Sequence, residues 1–122
     1  MSGISIDVET RYVERESDPA QQRFVFAYTI TITNDSDSAA QLLNRHWWVT
    51  DGNGDVKEVQ GSGVVGKQPR IVPSQAFRYT SAAILPTPVG SMRGSYEFQR
   101  DDGDLFEVPI PAFAFVLPTM VH

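Results

Sequence analysis

Apolar residues recur along this chain at every second position. Ile4, Ile6 and Val8 alternate with polar neighbours, and Phe24, Phe26, Tyr28, Ile30 and Ile32 form a longer series interleaved with Val25, Ala27, Thr29 and Thr31. The same period returns in Phe77 with Tyr79, in Met92, Tyr96 and Phe98, and in Phe106, Val108 and Ile110. Successive side chains of a strand point to opposite faces, so each run predicts a strand with one side on a core and the other in water. No stretch carries a convincing helical stripe. Turn-forming clusters separate the runs: "NDSDS" at 34–38, "DGNGD" at 51–55 and "DDGD" at 101–104. The pattern predicts an all-β sandwich of about seven short antiparallel strands, with one domain spanning residues 1–122. Trp47, Phe26, Tyr28, Ile30, Tyr96 and Phe98 are expected in a single core. Prolines at 69, 73, 86, 88, 109, 111 and 118 are expected in loops or late in strands, where a missing N–H is tolerated.

The segment "LLNRHWWVTD" fixes which aromatic residues reach solvent. One register turns Leu43, Trp47 and Val49 inward and leaves Leu42, Asn44, His46, Trp48 and Thr50 outside, with Arg45 near a rim. The opposite register buries Asn44 and His46, which would then need hydrogen-bond partners. The first is therefore expected. It makes Trp48, with His46, a candidate partner contact, although single exposed apolar residues are also normal.

Composition narrows the chemistry. The chain has no cysteine, which removes disulfides, thiolate metal sites and thiol catalysis. The opening "MSGISIDVET" lacks the basic start and apolar run of a signal peptide. The longest uncharged tracts are broken by proline and fall short of the roughly 20 residues of a spanning helix. A cytoplasmic protein without membrane insertion is expected. A formal charge of −5 speaks against nucleic acid as a partner.

The charge is uneven. Between Gly61 and Arg78 lie Lys67, Arg70 and Arg78 itself, with no acid among them. In the same stretch Gly61, Gly63 and Gly66 spell G-x-G-x-x-G. A dinucleotide fingerprint requires a helix opening at the loop and an acid about 20 residues on. Here "KQPRIVPS" follows, and residues 79–92 hold no Asp or Glu. The Rossmann reading fails, and so does a P-loop, since no Ser or Thr follows Lys67. Two readings of the glycines remain. They can be backbone joints, which is the expectation, or they can form a weak nest for a phosphate-containing small molecule together with Lys67, Arg70 and Arg78.

Other motifs carry less. Asp51, Asn53 and Asp55 open like a calcium loop, but Val56 and Ser62 stand where an EF-hand needs Gly and Glu, so a hairpin turn is expected. His46 and His122 are the only histidines, no G-x-S-x-G elbow occurs, and the nearest acidic cluster, Glu14, Glu16 and Asp18, reads as solvated. Neither an enzyme, a bound metal nor a cofactor is expected.

A set of short motifs in order resembles the ApaG family, also called CorD. They are Arg45-His46-Trp47, Gly63-Val64-Val65-Gly66 with Gln68-Pro69, Phe77-x-Tyr79-Thr80-Ser81, Gly90-Ser91-Met92-x-Gly94-x-Tyr96 and Ile110-Pro111-x-Phe113. The resemblance runs from about residue 3 to the end. Ser74 stands where the family frequently has glycine, and "SAAIL" lacks a common glycine after Ser81. The resemblance implies an immunoglobulin- or fibronectin-III-like sandwich and a soluble binding or accessory module associated with cobalt and magnesium resistance or efflux. It implies action through a protein partner. Separately, the exposed strand edge of an open sandwich can accept another strand, which allows a homodimer. The alternative the resemblance leaves is weak binding of phosphate, pyrophosphate or nucleotide at the Gly61–Gly66 loop.

Overall fold

The structure, a computed structural model, describes residues 2–120; Met1, Val121 and the second histidine, His122, lie outside the described residues. Eight strands follow one another: β1 (Ile4–Tyr12), β2 (Phe24–Asn34), β3 (Ala40–Asp51), β4 (Val56–Ser62), β5 (Arg70–Ile71), β6 (Ala76–Leu85), β7 (Val89–Arg100) and β8 (Leu105–Val116). The helical content of the described residues is three single 3-10 turns, at Glu14–Glu16, Pro19–Gln21 and Pro118–Met120. The strands form two antiparallel sheets, one ordered β1-β2-β6 and the other β4-β3-β7-β8 with β5 beside β3. The expected β-sandwich is thus present. Its strand count exceeds seven, and β5, two residues long, is too short for alternation to reveal it.

The core lies between the sheets. Phe26, Ile30 and Ile32 from β2 meet Leu42 from β3, Tyr96 and Phe98 from β7 and Phe115 from β8, all essentially inaccessible to solvent. All six residues expected in the core belong to this cluster. The hydroxyls of Tyr79 in β6 and Tyr96 in β7 hydrogen-bond to each other across the sandwich. Each phenol thereby satisfies its polar tip inside an apolar layer, and burial raises both pKa values.

Alternation misled at two places. Val25 and Ala27 on the outer side of β2 are buried as well, because Val13 covers them. The segment is tied there by Val13 N–H to Val25 O, 2.8 Å, and by Val25 N–H to Ser17 Oγ, 2.9 Å. The second correction concerns β3: Leu42, not Leu43, is the fully buried leucine. Opposite β7, Leu42 pairs with Phe98 and Asn44 with Glu97, so Leu43 is an extra residue in a β-bulge. The bulge reverses the phase of the strand, and Leu42 and Trp47, five positions apart, both face inward.

Asn34, read as part of a turn, ends β2 and is the one fully buried polar side chain among the described residues. Its Nδ2 donates to Ser38 O and Ile71 O, each at 2.9 Å, while Oδ1 accepts from Ser36 N–H and Ser36 Oγ. One amide therefore ties together the end of β2, the entry to β3 and β5. Next to it, Val72-Pro73-Ser74-Gln75 forms a turn closed by Gln75 N–H to Val72 O at 3.1 Å. Ser74 sits there at φ +69°, in the left-handed region, which accounts physically for glycine at this place.

Two stability changes of opposite sign are expected. Ser74→Gly relieves a left-handed conformation worth roughly 1–2 kcal/mol and loses part of that to chain entropy, for a net gain of up to about 1 kcal/mol in urea unfolding. Asn34→Leu removes the buried donor to Ile71 O and the acceptor for Ser36 N–H and should cost about 2 kcal/mol or more. Equal midpoints for the three proteins would contradict both assignments.

Candidate functional site

With the bulge setting its phase, β3 presents Asn44, His46 and Trp48 on the outer face of the large sheet. Register places Glu58 of β4 and Arg93 of β7 on either side of Trp48, and Gln60 and Ser95 on either side of His46. His46 Nε2 lies 2.5 Å from Glu58 Oε2. A contact that short to a carboxylate places the imidazole proton on Nε2. Gln60 Nε2 donates to the same carboxylate oxygen at 3.0 Å. The imidazole rests against the Trp48 indole, ring centroids 3.9 Å apart, and the Arg93 guanidinium carbon lies 4.6 Å from the indole centroid. Trp48 is consequently half-buried by polar neighbours, and both residues of the expected partner contact fall in one cluster. A shallow depression beside it, of about 480 Å³, is bordered by Asn44, His46, Gln60, Ser95, Glu97 and Glu107. Asn44 Nδ2 donates to Glu97 Oε1 there, at 2.7 Å.

The hydrogen bond from His46, followed by that from Gln60, lowers the Glu58 pKa below the ordinary glutamate value. Ser95 is the cross-strand neighbour of His46, but among the described residues no hydrogen bond joins their side chains. Nor do three His, Asp or Glu side chains gather among the described residues to hold a metal ion.

The glycine stretch lies along the other side of β3. Gly63 N–H donates to the carbonyl of the bulged Leu43 at 2.8 Å, and Gln68 Nε2 donates to that same carbonyl at 2.9 Å. Val64 and Lys67 exchange two backbone bonds, 2.8 and 2.9 Å, around the tip formed by Val65 and Gly66. Both tip residues have positive φ, 44° and 78°, the requirement of a tight two-residue hairpin turn. At Gly63, φ +64°, a Cβ would lie 2.3 Å from Lys67 O. Gly61 serves a different purpose. Its missing side chain leaves room for the Arg45 guanidinium, whose three outer atoms would come within 2.9 to 3.0 Å of a Cβ. Arg45 Nη1 donates from that place to Ser62 O and Gly63 O, both at 2.9 Å.

The six residues of the expected anion group are distributed over the molecule. Gly61, Gly63, Gly66 and Lys67 share the loop. Arg70 leaves it through a two-pronged ion pair with Asp101, at 3.0 and 2.5 Å, which lowers the aspartate's pKa. Arg78 lies on the small sheet, 3.5 Å from Glu9. Asp51, Asn53 and Asp55 form the expected hairpin turn, in which Asp51 Oδ1 accepts from the amides of Asn53 and Asp55 at 2.8 and 3.1 Å.

Sequence reasoning missed Glu58, Gln60 and Arg93 as companions of Trp48. The signal existed for the first two, because a turn at 52–55 fixes the pairing of Trp48 with Glu58. It also placed Arg45 at a rim, whereas the side chain is half-buried beneath the loop.

Comparison with known proteins adds a context. The family described as ApaG domain matches residues 14–100. Protein ApaG of Acidithiobacillus ferrooxidans is 54% identical over 119 residues, covering 98% of this chain and 94% of the relative. The protein of the same name from Bordetella pertussis is 49% identical, covering 98% and 91%. Among solved structures, the crystal structure of the ApaA protein from Bordetella pertussis matches with a TM-score of 0.92 at 50% identity, over 94% of each chain.

The Glu58 carboxyl should titrate below ordinary glutamate in a carbon-detected NMR series, and His46→Ala should move it upward. Because the folded-state pKa is depressed, the pair's stabilisation is present above the unfolded pKa and is lost as pH falls through the folded one. A Glu58 titration that ignores His46→Ala would refute the pairing.

Proposed function

This chain belongs to the ApaG domain family, and on that footing we propose that it is a non-catalytic binding and accessory module whose protein partner docks on the outer face of the large sheet. The observation that supports this reading is the Arg93–Trp48–His46 cluster with its Glu58 and Gln60 brace. Trp and Arg are enriched at the energetic centres of interfaces. A tryptophan already held by its neighbours loses little conformational entropy on docking. The surrounding Asn44, Glu97 and Glu107 supply the polar rim that such a centre needs to exclude water.

In this reading the protein works in the cytoplasm, and the family's association with cobalt and magnesium resistance operates through the partner. Among the described residues, no helix is long and apolar enough to cross a membrane. Self-association through the same face is the competing form of the interaction.

The test compares proteins recovered on immobilised wild-type chain with those on Trp48→Ser, Arg93→Ala and, as a control on the other sheet, Arg78→Ala. A partner reduced about tenfold or more by the first two and retained by the control is expected, the scale of an interface hot spot. Equal recovery on all four would remove this face from the interaction. Sedimentation of the wild type alone distinguishes a second copy: a concentration-dependent dimer abolished by Trp48→Ser would assign the face to self-association.

A further inference from the structure

Behind the glycine loop the two sheets part along β4 and β6. The opening contains a recess of about 220 Å³ lined by Tyr28, Arg45, Trp47, Val64, Tyr79 and Ser81, with the Val65–Gly66 tip above it. It shares Tyr28, Arg45, Trp47 and Ser81 with a wider cavity of about 320 Å³, which continues over Val49, Val59, Ala83 and Met92. Asp51, Asp55 and Lys57 stand along that wider part. The recess itself has no carboxylate, and Arg45 is its single charged residue.

Arg45 is unusual among the cations here. It is half-buried, yet among the described residues no carboxylate lies within ion-pair distance of it. Its described hydrogen bonds use Nη1 alone, toward Ser62 O and Gly63 O. Nε and Nη2 retain donors. Among the described residues no fully buried side-chain nitrogen or oxygen lacks a partner, so those donors meet solvent, and Arg45 borders it at the recess, at the wider cavity and at the depression of the outer face. A guanidinium with free, directed donors beside aromatic walls matches an oxyanion attached to an apolar body. The recess is mostly polar around Arg45 and opens into a wider, mostly apolar cavity, and an apolar enclosure with a few fixed polar anchors is the usual form of a small-ligand site.

We infer that the recess between the sheets binds a small organic oxyanion, a carboxylate or phosphate held by Arg45, with its apolar portion lying over Trp47 toward Val49 and Met92. The anion's position is the inner side of the loop; Arg45 also borders the outer depression, but none of His46, Trp48, Glu58 or Arg93 lines the recess, so the failure of either assignment leaves the other intact. The loop glycines contribute indirectly: Gly61 admits the guanidinium, and the carbonyls of Ser62 and Gly63 fix its direction.

Phenyl phosphate, benzoate and the uncharged benzyl alcohol should be titrated separately into isotope-labelled protein, following the Arg45 Nε–H and Trp47 indole N–H signals. The expected result is saturable shifts of both signals with at least one of the two anions and none with benzyl alcohol. Response to phenyl phosphate alone would mark a phosphate ligand, and response to benzoate alone a carboxylate. Arg45→Met should weaken binding about tenfold or more, the scale of a lost charge-assisted contact. Because that change also releases the loop, Ser81→Leu supplies an independent check: it fills the recess from the opposite sheet, leaves Arg45 in place and should weaken binding comparably. The inference is overturned by the absence of saturable shifts at millimolar anion, by an equal response to benzyl alcohol, or by binding that survives either variant. Loss of binding in Lys67→Ala with retention in Arg45→Met would place the anion on the outer side of the loop and likewise overturn it.

Discussion

One extra residue in β3 sets the arrangement of everything around it. A strand that alternates without interruption cannot bury both Leu42 and Trp47, since five positions separate them and the period is two. The bulge at Leu43 absorbs the odd step. Its cost is a local break in pairing with β7, because a bulged residue leaves the ladder. The freed carbonyl does not remain unsatisfied: Gly63 N–H and the Gln68 side chain both donate to it. The defect that puts Trp47 in the core is thus the same feature that fastens the glycine loop, and the outward direction of His46 and Trp48 follows from the reset phase.

Adjacent residues of β3 then serve different environments. Arg45 points under the loop, His46 outward to Glu58, Trp47 into the core and Trp48 outward to Arg93. Trp47 packs against Tyr28, Tyr96 and Phe113, with ring centroids 5.8 to 6.1 Å apart, so the strand cannot rotate to exchange these roles without emptying the core. Such packing makes Arg45 and the Trp48 cluster two readouts of one rigid element. Opposite them, β8 is an edge strand in which Pro109 and Pro111 are accommodated. Proline removes donors from an edge that would otherwise invite another strand.

What the sequence made legible was whatever depends on period and turn chemistry alone. Phe26, Tyr28 and Ile30 announced β2, and "DGNGD" announced the β3–β4 hairpin, from which even the pairing of Trp48 with Glu58 could be read. What it concealed depends on tertiary context. A bulge leaves no mark in a run such as "LLNRHWW", because Leu42 and Leu43 are equally apolar and only the docking of the 61–69 segment decides between them. Val25 and Ala27 read as a solvent face until Val13 is brought over them. Asn34 read as turn chemistry because asparagine is common in turns, and its four side-chain bonds come from residues as distant as Ile71. Arg45 read as a rim cation because nothing local shows that Gly61, sixteen positions later, leaves a space for it.

The glycine spacing itself illustrates how one string can answer a different physical problem from the one its pattern suggests. In a nucleotide fold, three glycines let backbone amides approach a pyrophosphate at the start of a helix. Here no helix follows, and the amides of Gly63, Val64 and Lys67 are engaged by Leu43, Lys67 and Val64 carbonyls respectively. The spacing instead meets three separate steric demands: room for a guanidinium at Gly61, a left-handed step against Lys67 O at Gly63, and the second position of a tight turn at Gly66. Val65, between them, is β-branched yet also has positive φ, a conformation that costs on the order of 1–3 kcal/mol for such a residue. That strain persists because the bonds on either side of the tip allow no looser path. The carbonyls, unlike the amides, are left facing Arg45, so the group that this loop positions is a cation.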